Sequence, residues 1–125
     1  MPRNWAAFRP NRLPIIAARL RTYRLSVLVD TGASRSLVAP SLATDFGLRL
    51  VGTDAIRGVT GVTATVPMVE VPDVSIGEIA LAPFQAGVLE LSHLRFGIQA
   101  VFGVNVFTNR RLQIDFGEGR IYLLS

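Results

Sequence analysis

The sequence predicts an all-β domain with one or two short helices. Three observations support this class. Short apolar runs alternate with turn residues along the 125-residue chain, residues rich in Val, Thr and Gly fill its middle, and helix signals are confined to brief stretches. Half of the residues are hydrophobic and 18% are charged, which excludes a wholly disordered chain. A single domain of this length buries a core without disulfides or metals.

The N-terminal half begins with a predicted β-hairpin. Its strands are LPIIAARL (13–20) and YRLSVLV (23–29). The segment PSLATDF (40–46) then predicts one or two helical turns. Pro40 suits the first helical position, and Gly47 suits a left-handed C-terminal cap.

The middle of the chain predicts further strands. The run IRGVTGVTATVPMVEV (56–71) favours two strands, with Gly58 and Gly61 at a mobile hairpin tip. The run VSIGEIALAPFQAGVLEL (74–91) predicts two more strands, and SHLRFG (92–97) predicts a short helical or irregular turn.

The C-terminal third has the most regular pattern. AVFG (100–103) ends a strand, and VNVFTNR (104–110) predicts a turn or two of helix. LQIDF (112–116) resumes the alternation of a strand, after which three turn residues lead into RIYLLS (120–125). We therefore divide the chain into an N-terminal arm, residues 1–12, and a domain, residues 13–125.

The composition limits the chemistry and the partners. The chain contains no Cys, which excludes disulfides, thiolate metal sites and Cys nucleophiles. Its net charge of +4 comes from arginine alone. An early cluster contains six of these residues: Arg3, Arg9, Arg12, Arg19, Arg21 and Arg24. Because they are spaced singly, with few aromatic residues between them, we expect a solvated basic surface rather than a nucleic-acid site.

The hydropathy pattern predicts a chain outside the membrane. No apolar run approaches the roughly 20 residues that span a bilayer. The run LPIIAARL is too short for a secretion signal and is interrupted by Arg19. We expect a soluble protein, cytoplasmic rather than secreted, or one domain of a longer precursor. For Trp5 and Phe8 the sequence leaves two alternatives, packing at a dimer surface or membership of a disordered arm.

Asp30 follows directly on an apolar strand and precedes a small, hydroxyl-rich turn. Two adjacent carboxyl groups can hydrolyse an amide, because they share one proton and so supply a base and an acid together. Gly32 lets the backbone turn sharply, and Thr31 and Ser34 offer hydroxyl donors near the carboxylate, while Ala33 keeps the turn small. An Asp-Gly turn in an ordinary β domain is the plain alternative.

Two motifs carry a resemblance that covers nearly the whole chain. VLVDTGAS (27–34) resembles the active-site signature of aspartic proteases, and Val101, Phe102 and Gly103 resemble the hydrophobic-hydrophobic-Gly element that packs beneath the catalytic loop of these enzymes. The continuation departs from the commonest form at Asn105 and Phe107. The resemblance is to the retropepsin-like, single-domain aspartic proteases.

The resemblance implies a closed β-barrel of the acid protease type that forms half of a two-fold dimer. The chain has one Asp-Thr-Gly motif, so Asp30 of one copy would meet Asp30 of a second, with Thr31 hydrogen-bonding across the axis. The implied enzyme is an endopeptidase that needs no cofactor or metal. The implied flap over the polypeptide substrate comprises Gly58, Val59, Thr60, Gly61 and Val62.

The sequence also allows two other interpretations of the function. The first is a catalytically weak retropepsin-like module for dimerisation or peptide binding; the second is a basic β-barrel that binds nucleic acid. His93 has no companion ligands and is expected on a surface loop. Asp115 is expected at a strand end and Asp73 in a turn, while Asp45 and Asp54 are expected in a helix and loop region. None of these carboxylates predicts a second catalytic Asp.

Overall fold

The computed structural model describes residues 2–57 and 61–124 and confirms the all-β class. The described residues form twelve strands, one short α-helix and one 3-10 helix. In chain order these elements are β1 Trp5–Ala7, β2 Ile15–Leu20, β3 Tyr23–Val29, β4 Ser36–Val38, α1 Pro40–Asp45, β5 Arg49–Arg57, β6 Thr63–Val71, β7 Val74–Ile76, β8 Ile79–Ala80, β9 Phe84–Val88, β10 Ala100–Phe102, the 3-10 helix Val104–Phe107, β11 Arg111–Asp115 and β12 Arg120–Leu124.

The strands form two sheets. The larger sheet has the order β5-β6-β9-β4-β10-β3-β2-β7-β8, and the smaller has the order β1-β12-β11. In the described residues the larger sheet therefore ends at β5 and β8 instead of closing into the expected barrel. The main core cluster includes large apolar side chains with 1% exposure or less, among them Phe102, Leu20, Leu25 and Ile76. A second, smaller cluster of buried side chains contains Leu91, Ile98 and Val101.

The predicted N-terminal hairpin and helix are confirmed. Strands β2 and β3 pair antiparallel from Ile15 opposite Leu28 to Leu20 opposite Tyr23, and the exposure of β2 alternates as a strand with one buried face requires. Helix α1 has Pro at its first turn. Gly47 beyond it adopts a left-handed φ of 57°, as a helix-ending glycine does.

Two predicted segments differ from the structure. Asp54 lies within the nine-residue strand β5, which forms eight residue pairs with β6, and not in a loop. The run 74–91 contains three strands, β7, β8 and β9, instead of two. Strand β8 has only two residues, too few for an alternation to be recognised, and Gly77 turns the chain into it with φ 59°.

Strand β10 determines where the candidate site is built. It lies between β3, to which it is parallel, and β4, to which it is antiparallel. Phe102 stands opposite Val29, so the ends of β10 and β3 coincide. The residues that follow the two strands, Gly103 and Asp30, are consequently brought side by side although 73 positions separate them.

The N-terminal segment packs against the C-terminal strands of its own chain. Strand β1 pairs antiparallel with β12, Trp5 lying opposite Tyr122. Phe8 is buried and its ring meets that of Phe116 edge-on, with centroids 5.8 Å apart. The boundary after residue 12 stays a prediction. None of the helices in the described part of the chain has the length and apolar character to cross a bilayer.

Candidate active site

The loop that follows β3 presents Asp30 to solvent from a buried support. Val29 is 3% exposed, whereas Asp30 is exposed. The Asp30 backbone N–H donates to the Phe102 carbonyl at 2.9 Å, and the Gly32 N–H donates to Asp30 Oδ1 at 3.0 Å. The carboxylate therefore has both a fixed backbone and a fixed side-chain orientation. Ala33 closes the turn, its N–H donating to the Asp30 carbonyl at 3.1 Å.

Thr31 and Ser34 are exposed on the same loop. Within residues 2–57 and 61–124 neither side-chain hydroxyl has a hydrogen-bond partner, so the role of donor to the carboxylate belongs to the Gly32 N–H. Among the described residues, both hydroxyls therefore keep their capacity to bond to another molecule.

Gly103 is packed directly beneath this loop. A Cβ atom at this position would stand 2.5 Å from the Arg35 carbonyl oxygen and 2.7 Å from that of Ala33. The Val104 N–H donates to the Ala33 carbonyl at 2.9 Å. Residue 103 must therefore be glycine because of this close backbone approach, and Val101 and Phe102 before it are buried, at 6% and 1% exposure.

Ser36 and Asn105 join the two segments from below, and the sequence did not single out this pair. Ser36 is fully buried. Its hydroxyl accepts from the Gly103 N–H at 2.9 Å and donates to Asn105 Oδ1 at 2.7 Å, and Asn105 Nδ2 donates to the Gln85 carbonyl at 2.8 Å. Asn105, which departs from the commonest form of the family motif, thus completes a relay of hydrogen bonds from the Gly103 N–H through Ser36 and Asn105 to the Gln85 carbonyl.

Arg35 links the end of the loop to β5. Its Nη1 donates to the Ala55 carbonyl at 2.6 Å and lies 3.1 Å from Asp54 Oδ2. Asp54 also accepts the Ala55 N–H through Oδ1 at 2.8 Å. No local pattern indicates this contact, because the partners are separated by about 20 positions and meet only in the folded sheet.

Most of the predicted flap lies outside the described residues. Gly58, Val59 and Thr60 are not part of the described ranges. Gly61 has a left-handed φ of 80°, and Val62 is 67% exposed. The hairpin that leads to this segment is described up to the pair Arg57 and Thr63.

Asp115, Asp73 and His93 lie in the environments that the sequence predicted for them. Asp115 ends β11, as predicted, and its Oδ1 accepts the Glu118 N–H at 2.8 Å. Asp73 lies in a turn 3.8 Å from the Arg21 guanidinium. His93 lies exposed in a turn. Within the described ranges, no three His, Asp or Glu side chains are grouped as metal ligands.

The Asp30 loop and the segment beneath it lie within a region that matches a known protein family. The model of a family described as aspartyl protease matches residues 16–106, about three quarters of the chain. The chain belongs to the aspartyl protease family. The match includes both motifs noted in the sequence, the loop that starts at Asp30 and the buried segment that ends at Gly103.

Solved structures show which branch of aspartic protease folds this one resembles. A retropepsin-like aspartic protease from Rickettsia conorii superposes with a TM-score of 0.61 at 19% identity, over 96% of both chains. The retroviral protease-like domain of Ddi1 from Leishmania major superposes with a TM-score of 0.56 at 18% identity, over 91% of this chain and 94% of that one. No curated protein sequence gives a significant match. The retropepsin-like fold is confirmed.

Proposed function

We propose that this aspartyl protease family member is an endopeptidase whose two catalytic carboxylates are Asp30 of one subunit and Asp30 of a second. The observation that carries the proposal is the support of Asp30. An exposed carboxylate stands at the end of a buried strand, and the Gly32 N–H and the Phe102 carbonyl hold it in place. A charged group fixed in this way, in a chain of this family, suits catalysis better than a surface turn.

The dimer is part of the mechanism because one subunit supplies one such carboxylate. Two exposed apolar side chains beside the Asp30 loop support the proposed dimer. Leu13 is 59% exposed and precedes Pro14, whose carbonyl accepts the Val29 N–H at 3.0 Å. Val104 is 47% exposed and follows Gly103. Burying these side chains against a second copy would remove apolar area from water at the point where the two loops must meet.

The chemistry follows from a shared proton. With the two carboxyl groups adjacent, one is ionised and takes a proton from water, while the other is protonated and donates to the carbonyl oxygen of the substrate. Water adds to the carbonyl carbon, and the resulting tetrahedral species breaks at the C–N bond as the leaving nitrogen gains a proton. No covalent bond to the enzyme forms. Thr31, whose hydroxyl has no hydrogen-bond partner among the described residues, would bond across the axis and hold the two loops in register.

The substrate is proposed to be an extended polypeptide. The β5–β6 hairpin leads to residues 58–62, and a flap there would bind the peptide backbone as an added strand. Arg35 joins the base of this hairpin to the catalytic loop through Ala55 and Asp54. Closure of the flap and the position of the loop would therefore be coupled.

The substitution Asp30→Asn tests the function. We expect wild-type protein to cleave unfolded polypeptides, fastest at mildly acidic pH where one proton is shared, and the variant to lose cleavage while circular dichroism and sedimentation remain unchanged. The amide keeps the shape of the carboxylate but cannot accept the water proton. Cleavage by the variant at the wild-type rate would refute the mechanism. Peptide binding without cleavage by the wild type would favour a binding module instead.

A further inference from the structure

An open groove of about 890 Å3 lies between β1 and the β2–β3 hairpin. Its volume is within the range of ligand sites in proteins. Four arginines line it, and none of its lining residues is acidic. These arginines are Arg3, Arg9, Arg19 and Arg24. None of residues 30–34 lines the groove, so it is separate from the candidate active site.

The wall formed by β1 is held at both of its ends. At one end the Arg3 carbonyl accepts the Glu78 N–H at 2.7 Å, and at the other the Phe8 N–H donates to the Gly119 carbonyl at 2.9 Å. Gly77 makes the first contact possible, since a Cβ atom there would stand 2.5 Å from the Arg3 carbonyl oxygen. The groove is thus preformed, and a ligand would not have to order its walls.

The opposite wall contains an uncompensated pair of like charges. Arg19 of β2 and Arg24 of β3 stand directly opposite each other in the antiparallel ladder, which places both side chains on the same face of the sheet. Like charges in this position destabilise a sheet. In the part of the chain that the structure describes, neither guanidinium forms an ion pair; the Arg19 Nη1 donates only to the Thr22 carbonyl, at 3.2 Å.

We propose that this arginine groove binds acidic segments of polypeptides. A carboxylate between Arg19 and Arg24 would relieve their repulsion, and guanidinium groups pair with carboxylates through two parallel hydrogen bonds. The groove is also lined by the half-buried apolar residues Ile15 and Ala17, which alternate with the buried residues of β2 and suit the aliphatic parts of a peptide. The proposal concerns binding and does not depend on proteolysis.

A peptide fits the groove better than single-stranded nucleic acid does. Nucleic-acid grooves of this kind use aromatic rings on which bases stack. Trp5, which lines this groove, already has the Arg120 guanidinium 3.8 Å and the Arg3 guanidinium 5.2 Å from its ring centroid. Its ring is engaged within the subunit, so the groove offers positive charge without a free stacking surface.

The test measures binding of a fluorescent ten-residue poly-Glu peptide by anisotropy, with poly-Gln of the same length as the neutral probe. We expect saturable binding of poly-Glu that weakens as salt is raised, and no binding of poly-Gln. The substitution Arg24→Glu should weaken poly-Glu binding about tenfold or more, because a charge-assisted contact becomes a repulsive one. Measurements in the Asp30→Asn background exclude loss of the peptide by cleavage.

The matched control is Arg95→Glu. Arg95 is exposed and does not line the groove, so this variant has the same net charge but should bind poly-Glu within about twofold of the parent. Equal weakening by both substitutions would overturn the proposal, because net charge alone would then explain binding. Equal binding of poly-Gln, or tighter Arg24-dependent binding of a ten-nucleotide oligo-dT, would also overturn it.

Discussion

The hydroxyl of Ser36 donates a hydrogen bond to Asn105 Oδ1 at 2.7 Å, across 69 positions of the chain. The same oxygen of Ser36 accepts the Gly103 N–H at 2.9 Å. One fully buried side chain therefore connects the strand that follows the Asp30 loop to the segment beneath that loop. The position of Asp30 depends on this connection, because the Asp30 N–H bonds to the residue immediately before Gly103.

We expect Ser36→Ala to reduce the free energy of unfolding by about 1–3 kcal/mol, because the Gly103 N–H and Asn105 Oδ1 would each lose a buried partner. Urea unfolding at constant protein concentration measures the change. Asn105→Ala should also destabilise, and the double variant should lose less than the sum of the two, since both changes disrupt one relay. Ser41→Ala, at an exposed serine of α1, is the control. Strict additivity of the two core substitutions would contradict the relay.

We expect Gly103→Ala to destabilise the fold by about 1–3 kcal/mol or more and to abolish cleavage together with it. The added methyl group would overlap the carbonyl oxygens of Ala33 and Arg35, which are backbone atoms that cannot move without displacing the loop. Gly117→Ala is the matched control, because the nearest atom to its added Cβ is 3.7 Å away. Thermal unfolding and a peptide-cleavage assay measure both effects. A Gly103→Ala variant as stable and active as the parent would show that the contact is unimportant.

Subunit mixing tests whether the two carboxylates come from different copies. Added in excess and allowed to exchange, the Asp30→Asn protein should inhibit the wild type, since a mixed dimer has one carboxylate and cannot share a proton as the pair does. At a fixed total concentration, activity should fall with the square of the wild-type fraction. Activity proportional to that fraction would mean that each chain acts alone.

The substitution Val104→Glu tests whether the inhibition requires a dimer, and Leu50→Glu is its matched control. A charge on an apolar side chain beside the loop should shift sedimentation toward monomer and remove the inhibition when it is combined with Asp30→Asn. Leu50→Glu makes the same kind of change at a side chain 64% exposed on β5 and should leave the dimer intact. Equal effects of the two substitutions would remove Val104 from the proposed interface.

The sequence by itself determined the class of the fold, the hairpin that leads to Asp30 and the two motifs of the site. These features depend on short-range rules, since alternation, turn residues and a helix-starting Pro40 act within a few positions of one another. The same rules missed β8, which is too short to show alternation, and placed Asp54 outside the strand that contains it.

Only the tertiary structure decided how the site is held. The parallel pairing of β10 with β3 brings Gly103 beneath the Asp30 loop, and sheet packing unites Ser36 with Asn105 and Arg35 with Asp54. It also gathers singly spaced arginines into one groove, because directly opposite positions of a hairpin project their side chains from the same face. Such contacts join residues far apart in the chain, and a local pattern carries no information about which distant residue will face it.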